Sequence, residues 1–560
     1  MEQQAIVLDM ESLPTEVIAS VLDSLAPQPP EIGETRPASY HKLVAGETWF
    51  DFTRNRRGLA SLCLVSRRLQ AMALPRLYRT MCILDEESMM LYFRTLTERP
   101  QYGLLTRYLS CHMTLTRDAV IREMRRAVGK LLRTFRPVDE PQPIMEPLRR
   151  VLDVMARALP HPSTHACNFD DVPQVIFACI LNLLPNLNTL LLQVPICDHP
   201  EYTALLSKVA TAHTHFRDPV VTALLEPHLV PLQRIETLQL QGDPELLKHF
   251  EDGDCRECEA PEVWGAQPRR YVPLYDCLPA LHTLEVTTDD GIWDKMHDEM
   301  QGHSYLCGPA SAVPDDSAAR PPYLPGIRHI YLHNSIACPR NLYQILVNAP
   351  KLETLYMTPY RDESFYREER EDGMAVAHPR ALDVALAKHA KNLTHLDVSW
   401  FDVYRHKSLI GPDGRLASLP GLKQLEKLCI QLATLYGDVH TALEIPLADL
   451  LPPNLVELTL EDWWWTNLDD YNAIEEWGPA KKLTHYRNQK EYRESALMML
   501  GQFARDFRQR MPKLERMMLL CKIPYTWMVE EGVPIEFHFE DIKAALGMQG
   551  VEFVVEEECM

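Results

Sequence analysis

The chain has 560 residues, 46% hydrophobic and 24% charged, an ordinary balance for a globular protein. Its 57 Lys and Arg stand against 78 Asp and Glu, a formal charge of −21, which opposes general binding to nucleic acid or to an anionic membrane. Fourteen Cys follow no framework spacing, and the start, "MEQQAIVLDMESLP", lacks the features of a secretory signal. Both point to free thiols in a reducing compartment, cytoplasmic or nuclear.

In chain order, "ESLPTEVIASVLDSLAP" (11–27) predicts a short amphipathic helix. Pro14 suits its first turn, and Leu13, Val17, Ile18, Val21, Leu22 and Leu25 form its apolar side. Residues 27–57 start Pro-rich and predict an excursion, within which Trp49, Phe50 and Phe52 are the residues able to fold back. "LASLCLVSRRLQAMALPRLYRTM" (59–81) carries four Arg (67, 68, 76 and 79) and no carboxylate. Leu59, Leu62, Cys63, Val65, Ser66 and Leu69 predict a second helix there, and Leu74, Leu77 and Tyr78 follow a further helical stretch that Pro75 interrupts or begins. Helices this small bury too little area for a robust core, so their apolar surface needs a partner.

These pieces, "LPTEVIASVLDSL", "LASLCLVSRRLQAMA" and "LPRLYRTM", resemble the F-box in its order, with 27–57 standing where the family has a short loop. The resemblance implies a three-helix module over 10–82 that docks on the Skp-type adaptor of a cullin-RING ubiquitin ligase. Carried over by position, the adaptor-facing residues are Leu13, Pro14, Val17, Ile18, Val21, Leu22, Leu62, Val65, Ser66 and Leu69.

Residues 83–180 read as a helical connection and the start of the solenoid. "TRDAVIREMRRAVGKLLRTFR" (116–136) is basic and amphipathic; an outer helix with Val120, Met124, Val128 and Leu131 inward is preferred to a membrane-surface or calmodulin-type helix. "VIFACILNLLPNLNTLLLQV" (175–194) approaches the length of a membrane span, but Asn182, Pro185, Asn186, Asn188 and Thr189 interrupt it. A buried helix followed by a strand is expected instead.

From there a motif L-x-x-L-x-L recurs nine times: "LNTLLL" (187), "IETLQL" (235), "LHTLEV" (281), "IRHIYL" (327), "LETLYM" (352), "LTHLDV" (393), "LEKLCI" (425), "LVELTL" (455) and "LERMML" (514). Pro lies two residues upstream in most copies, ending the helical stretch before it. Helix then strand, repeated, predicts parallel strands on right-handed crossovers with one continuous core. The pattern resembles leucine-rich repeats, although the starts lie 48, 46, 46, 25, 41, 32, 30 and 59 residues apart, less regular than the family. The expected fold is therefore α/β: the F-box-like module, an irregular leucine-rich-repeat-like solenoid over 181–525 and a cap over 526–560.

Residues between the two buried positions of each strand turn outward together. Tyr331, Tyr356 and Asp397, with Trp400 just beyond, are the candidate target-binding residues, flanked by His329, His333 and His395. "EDWWWTN" (461–467) reads as core or loop packing, and Cys255, Cys258, His297, His303 and Cys307 as scattered thiols and imidazoles rather than a zinc site. No phosphate loop and no nucleophile–base pair is discernible, so neither catalysis nor a cofactor or metal is expected. The resemblances together imply the substrate-recognition subunit of an SCF-type ligase, bound through its adaptor to a cullin and holding a protein target. The alternative is a non-ligase scaffold using the same repeat surface.

Overall fold

The computed structural model describes residues 13–26, 47–83, 86–111, 176–177, 180–181, 183–194, 234–242, 278–287, 322, 324–335, 339–359, 380–398, 415–436, 445–462, 497–521 and 539–557. The chain forms two compact units, one of Met1–Ala266 with Arg270–Val286, the other of Gln267–Arg269 with Thr287–Met560.

Among the described residues the first unit opens with three helices: α1 (Thr15–Ser24), α2 (Glu47–Val65) and α3 (Arg67–Arg79). Their core is Ile18, Leu22, Leu59, Leu69 and Ala73, with Leu13, Leu25, Leu62, Cys63, Met72 and Leu77 packed around it. Extended backbone at Ser66 separates α2 from α3, and its Oγ accepts the Leu69 N–H at 3.2 Å, capping α3. Pro75 neither interrupts nor begins a helix but lies inside α3. The expected excursion over 27–57 is shorter than its sequence suggests, because α2 already runs from Glu47. Arg56, on that added length, donates to the Thr80 carbonyl at 3.4 Å and to Met81 Sδ at 3.2 Å.

Those contacts reach β1 (Thr80–Ile83), followed by α4 (Glu86–Glu98), β2 (Tyr108–Cys111), β3 (Thr189–Val194), β4 (Thr237–Gly242) and β5 (Thr283–Thr287). In the second unit come β6 (His329–Ser335), α5 (Pro339–Asn348), β7 (Thr354–Pro359), α6 (Arg380–His389), β8 (His395–Val398), β9 (Lys427–Gln431), α7 (Leu432–Tyr436), α8 (Leu447–Leu450), β10 (Glu457–Asp462), β11 (Arg516–Cys521), α9 (Glu540–Gly547) and β12 (Glu552–Glu557). Within each unit the strands lie side by side in chain order, and the pairs β1 to β4 and β6 to β12 are parallel.

The expected parallel strands thus have a physical origin in a repeated lead-in. Leu187, Leu281, Ile327, Leu352 and Leu514 each donate an N–H to the carbonyl three residues back, at Leu184, Leu278, Leu324, Ala349 and Met511. The recurrent Pro (185, 279, 325, 350 and 512) is the second residue of that turn, where its fixed φ is already correct. The residue before each Pro is buried and belongs to the repeat as well. Beyond the turn, one carbonyl accepts two N–H groups of the next repeat: Arg328 O takes Glu353 N at 2.7 Å and Thr354 N at 2.9 Å, and Glu353, Thr394, Glu426 and Val456 repeat the device. The register it sets stacks Ile330, Leu355, Leu396, Leu428, Leu458, Met517 and Phe553 in one buried row. Each such side chain contributes about 1.5–3 kcal/mol by leaving water.

Among the described residues, three strands lie outside the nine motif copies. In β2, Thr106 takes the first Leu position and is buried because its hydroxyl bonds Tyr92 at 2.8 Å. In β12, Gly550 at φ 77° makes the turn, leaving Val551 only two residues before Phe553. β1 follows directly on α3, with Tyr78 at the equivalent position. Gly103 is buried against the Leu183 backbone carbonyl, which a Cβ would strike. Of the apolar run 175–194, residues 176–177 and 180–181 are helical and β3 follows; among the described residues no helix is long and apolar enough to cross a membrane. The basic segment 116–136 lies outside the described residues.

Candidate interaction surfaces

The ten residues expected to face an adaptor divide by position. Ile18, Leu22 and Leu69 are fully buried and hold the three helices together rather than facing outward, while Leu13 and Leu62 pack beside them. The Ser66 side chain is committed to capping α3. Pro14 is exposed at the start of α1, its carbonyl accepting Val17 N and Ile18 N at 3.1 Å each. The outward apolar side chains are Val17 (44% exposed), Val21 (39%), Leu64 (88%) and Val65 (65%). Leu64 was not among the expected residues. The run "LCLV" signals it, since consecutive apolar residues on a helix cannot all face one side.

Two of the four Arg in 59–81 strap α1 to α3. Arg68 Nη2 donates to the Leu13 carbonyl at 3.2 Å and to Thr15 Oγ1 at 2.9 Å, and Arg76 Nε donates to Asp23 Oδ1 at 2.6 Å. Thr15 and Asp23 are two turns apart, as are Arg68 and Arg76, so the helices run side by side in the same direction. The Arg76 hydrogen bond holds the Asp23 carboxyl below its ordinary value, against partial desolvation and with help from the Arg76 and Arg79 charges.

Register sets two rows along the sheet face of the second unit. The first is His329, Thr354, His395, Lys427, Glu457, Arg516 and Glu552. Lys427 pairs with Glu457 at 3.0 Å and Arg516 with Glu552 at 3.7 Å, while His329 Nδ1 lies 3.1 Å from Thr354 Oγ1. The second row is Tyr331, Tyr356, Asp397, Cys429, Thr459, Met518 and Val554, so the three expected target residues within the described chain are direct cross-strand neighbours. All three are half-buried. The Tyr331 and Tyr356 rings are 6.1 Å apart and the His333 ring is 5.4 Å from Tyr356. Trp400 lies outside the described residues, as do Trp463–Trp465. Burial, aided by the Lys427 charge, lowers the His395 pKa.

The corresponding row of the first unit is polar and largely buried. Ser110, Gln239 and Glu285 are buried, Tyr108 Oη donates to Gln239 Oε1 at 3.1 Å, and Gln239 Nε2 donates to Glu285 Oε2 at 2.8 Å. Burial pushes the Cys82 thiol up to about 12, against a hydrogen bond with Ser110. Among the described residues no three His, Cys, Asp or Glu are grouped to hold a metal ion; Cys255, Cys258, His297, His303 and Cys307 lie outside them. Comparison with known proteins finds no matching family model and no matching curated protein.

Proposed function

We propose that this chain is the target-recognition subunit of an SCF-type ubiquitin ligase. Its N-terminal helices dock on a Skp-type adaptor, and through it a cullin, while the sheet face of the second unit holds a protein target. The observation that carries this reading is the small helical module, whose own core leaves Val17, Val21, Leu64 and Val65 in water. Exposed apolar side chains on a module of this size are what a docking partner covers. The resemblance of residues 10–82 to the F-box supplies the identity of that partner. The work of such a subunit is proximity: it raises the local concentration of target lysines at a ubiquitin-loaded enzyme and makes or breaks no bond itself.

The test is co-purification of adaptor and cullin with the full chain and with a variant combining Val17→Asp and Val65→Asp. Both side chains are exposed, so the core stays intact. Adaptor affinity is expected to fall at least about tenfold, near 1.4 kcal/mol. A folded variant with undiminished adaptor binding sinks the proposal, and adaptor recovered without cullin favours a non-ligase scaffold.

A further inference from the structure

Resting on that reading, we infer that the outer stripe of α2 receives an acidic segment of the docking partner. Carboxylates of that segment meet Arg54 and Arg57, and its apolar side chains meet Leu64 and Val65. Helical spacing draws the stripe: Arg54, Arg57, Ser61, Leu64 and Val65 recur every three or four residues and share one side of α2. All five are exposed, whereas Leu59 of the same helix is fully buried. The first half of α2 is held from its inner side, where Arg56 reaches Thr80 and Met81 of β1. At a rise of about 1.5 Å per residue, Arg54 stands about 15 Å along the axis from Leu64. The stripe is therefore cationic at one end and aliphatic at the other.

Charge selects the occupant. Between Asp51 and Asp85 the sequence has seven Arg and neither Asp nor Glu. Arg56 is engaged with β1, Arg68 with α1 and Arg76 with Asp23. Arg54, Arg57 and Arg67, the last just beyond Val65, are exposed and have no carboxylate partner among the described residues. Free guanidinium groups beside an 88% exposed Leu64 suit a protein segment that is both acidic and apolar. Nucleic acid and anionic membrane fit less well, since both need many cations at once and the formal charge of −21 repels them.

The probe is a fluorescent helical peptide of glutamate and leucine spaced to match the stripe, beside the same peptide with glutamine for glutamate. Binding to the full chain is measured by anisotropy at physiological salt, and circular dichroism verifies that each variant is folded. The parent is expected to bind the glutamate peptide at least about tenfold more tightly than the glutamine peptide. Arg54→Glu with Arg57→Glu should remove that preference and leave the glutamine peptide unaffected. Leu64→Ser with Val65→Ser should weaken both peptides about tenfold. Equal parental affinity for the two peptides, or a preference retained by the folded arginine variant, overturns the inference. So does a preference that grows in Glu31→Gln with Glu34→Gln, because the chain's own residues 27–46 would then be the occupant. Tighter binding to phosphatidylserine vesicles or to an oligonucleotide, lost with Arg54 and Arg57, overturns it as well. Adaptor co-purification then separates the inference from the reading beneath it. Adaptor bound equally by the parent and the arginine variant overturns the inference and leaves the ligase reading standing. An arginine-dependent peptide preference in a chain that recovers no adaptor supports the surface and counts against the ligase reading alone.

Discussion

Asp23 and Arg76 show how a single contact fixes the attitude of a helix. Their hydrogen bond joins the end of α1 to α3, and Arg68 performs the same service at the start of α1. Because Asp23 titrates below its unfolded value, the stability it lends is fully present above that value, about 3.9, and is lost as pH falls through the lower folded value. The thermal midpoint of the parent should therefore exceed that of Asp23→Asn at neutral pH, and the gap should close in acid. A gap that does not change with pH would assign the effect to something other than this ion pair. At the same scale, burial divides the expected adaptor residues in a way the sequence could not. Helical periodicity places Val17, Ile18, Val21 and Leu22 on one side of α1, yet only Ile18 and Leu22 are inside, because α2 and α3 cover part of that side.

For whole elements, legibility followed the lead-in turn. Nine strands announced themselves through the L-x-x-L-x-L alternation, six of them with the upstream Pro as well. β2 did not, since Thr106 looks polar until its hydroxyl is seen bonded to Tyr92. The start of α2 was hidden for another reason: "ETWFDFTRNRRG" offers no regular apolar stripe, and Arg56 earns its place through contacts with Thr80 and Met81, distant in sequence. Replacing 47–57 with Gly and Ser should consequently do more than shorten a loop. Both the added turns of α2 and the Arg56 contacts would be lost, lowering the thermal midpoint of the first unit. An unchanged midpoint would show that α2 needs only its second half.

Within each unit, the described strands pair only with their neighbours in chain order, so stability within a unit is a sum of adjacent contacts. Leu458→Ala, in the buried row between Leu428 and Met517, should cost about 2–5 kcal/mol. Hydrogen exchange should quicken most in β9, β10 and β11 and least in β6 and β7; a uniform rise would mean that the unit opens all at once.

The doubled carbonyl contact that begins most of the described strands also bears on how such a chain can change over time. It anchors where a repeat begins and places no demand on how far the backbone wanders before returning. Spacings of 25 and 59 residues between motif starts differ by only about 0.8 kcal/mol in loop-closure entropy. A lineage carrying this fold is thus free to lengthen its connections and try new sequence in them while every strand keeps its address.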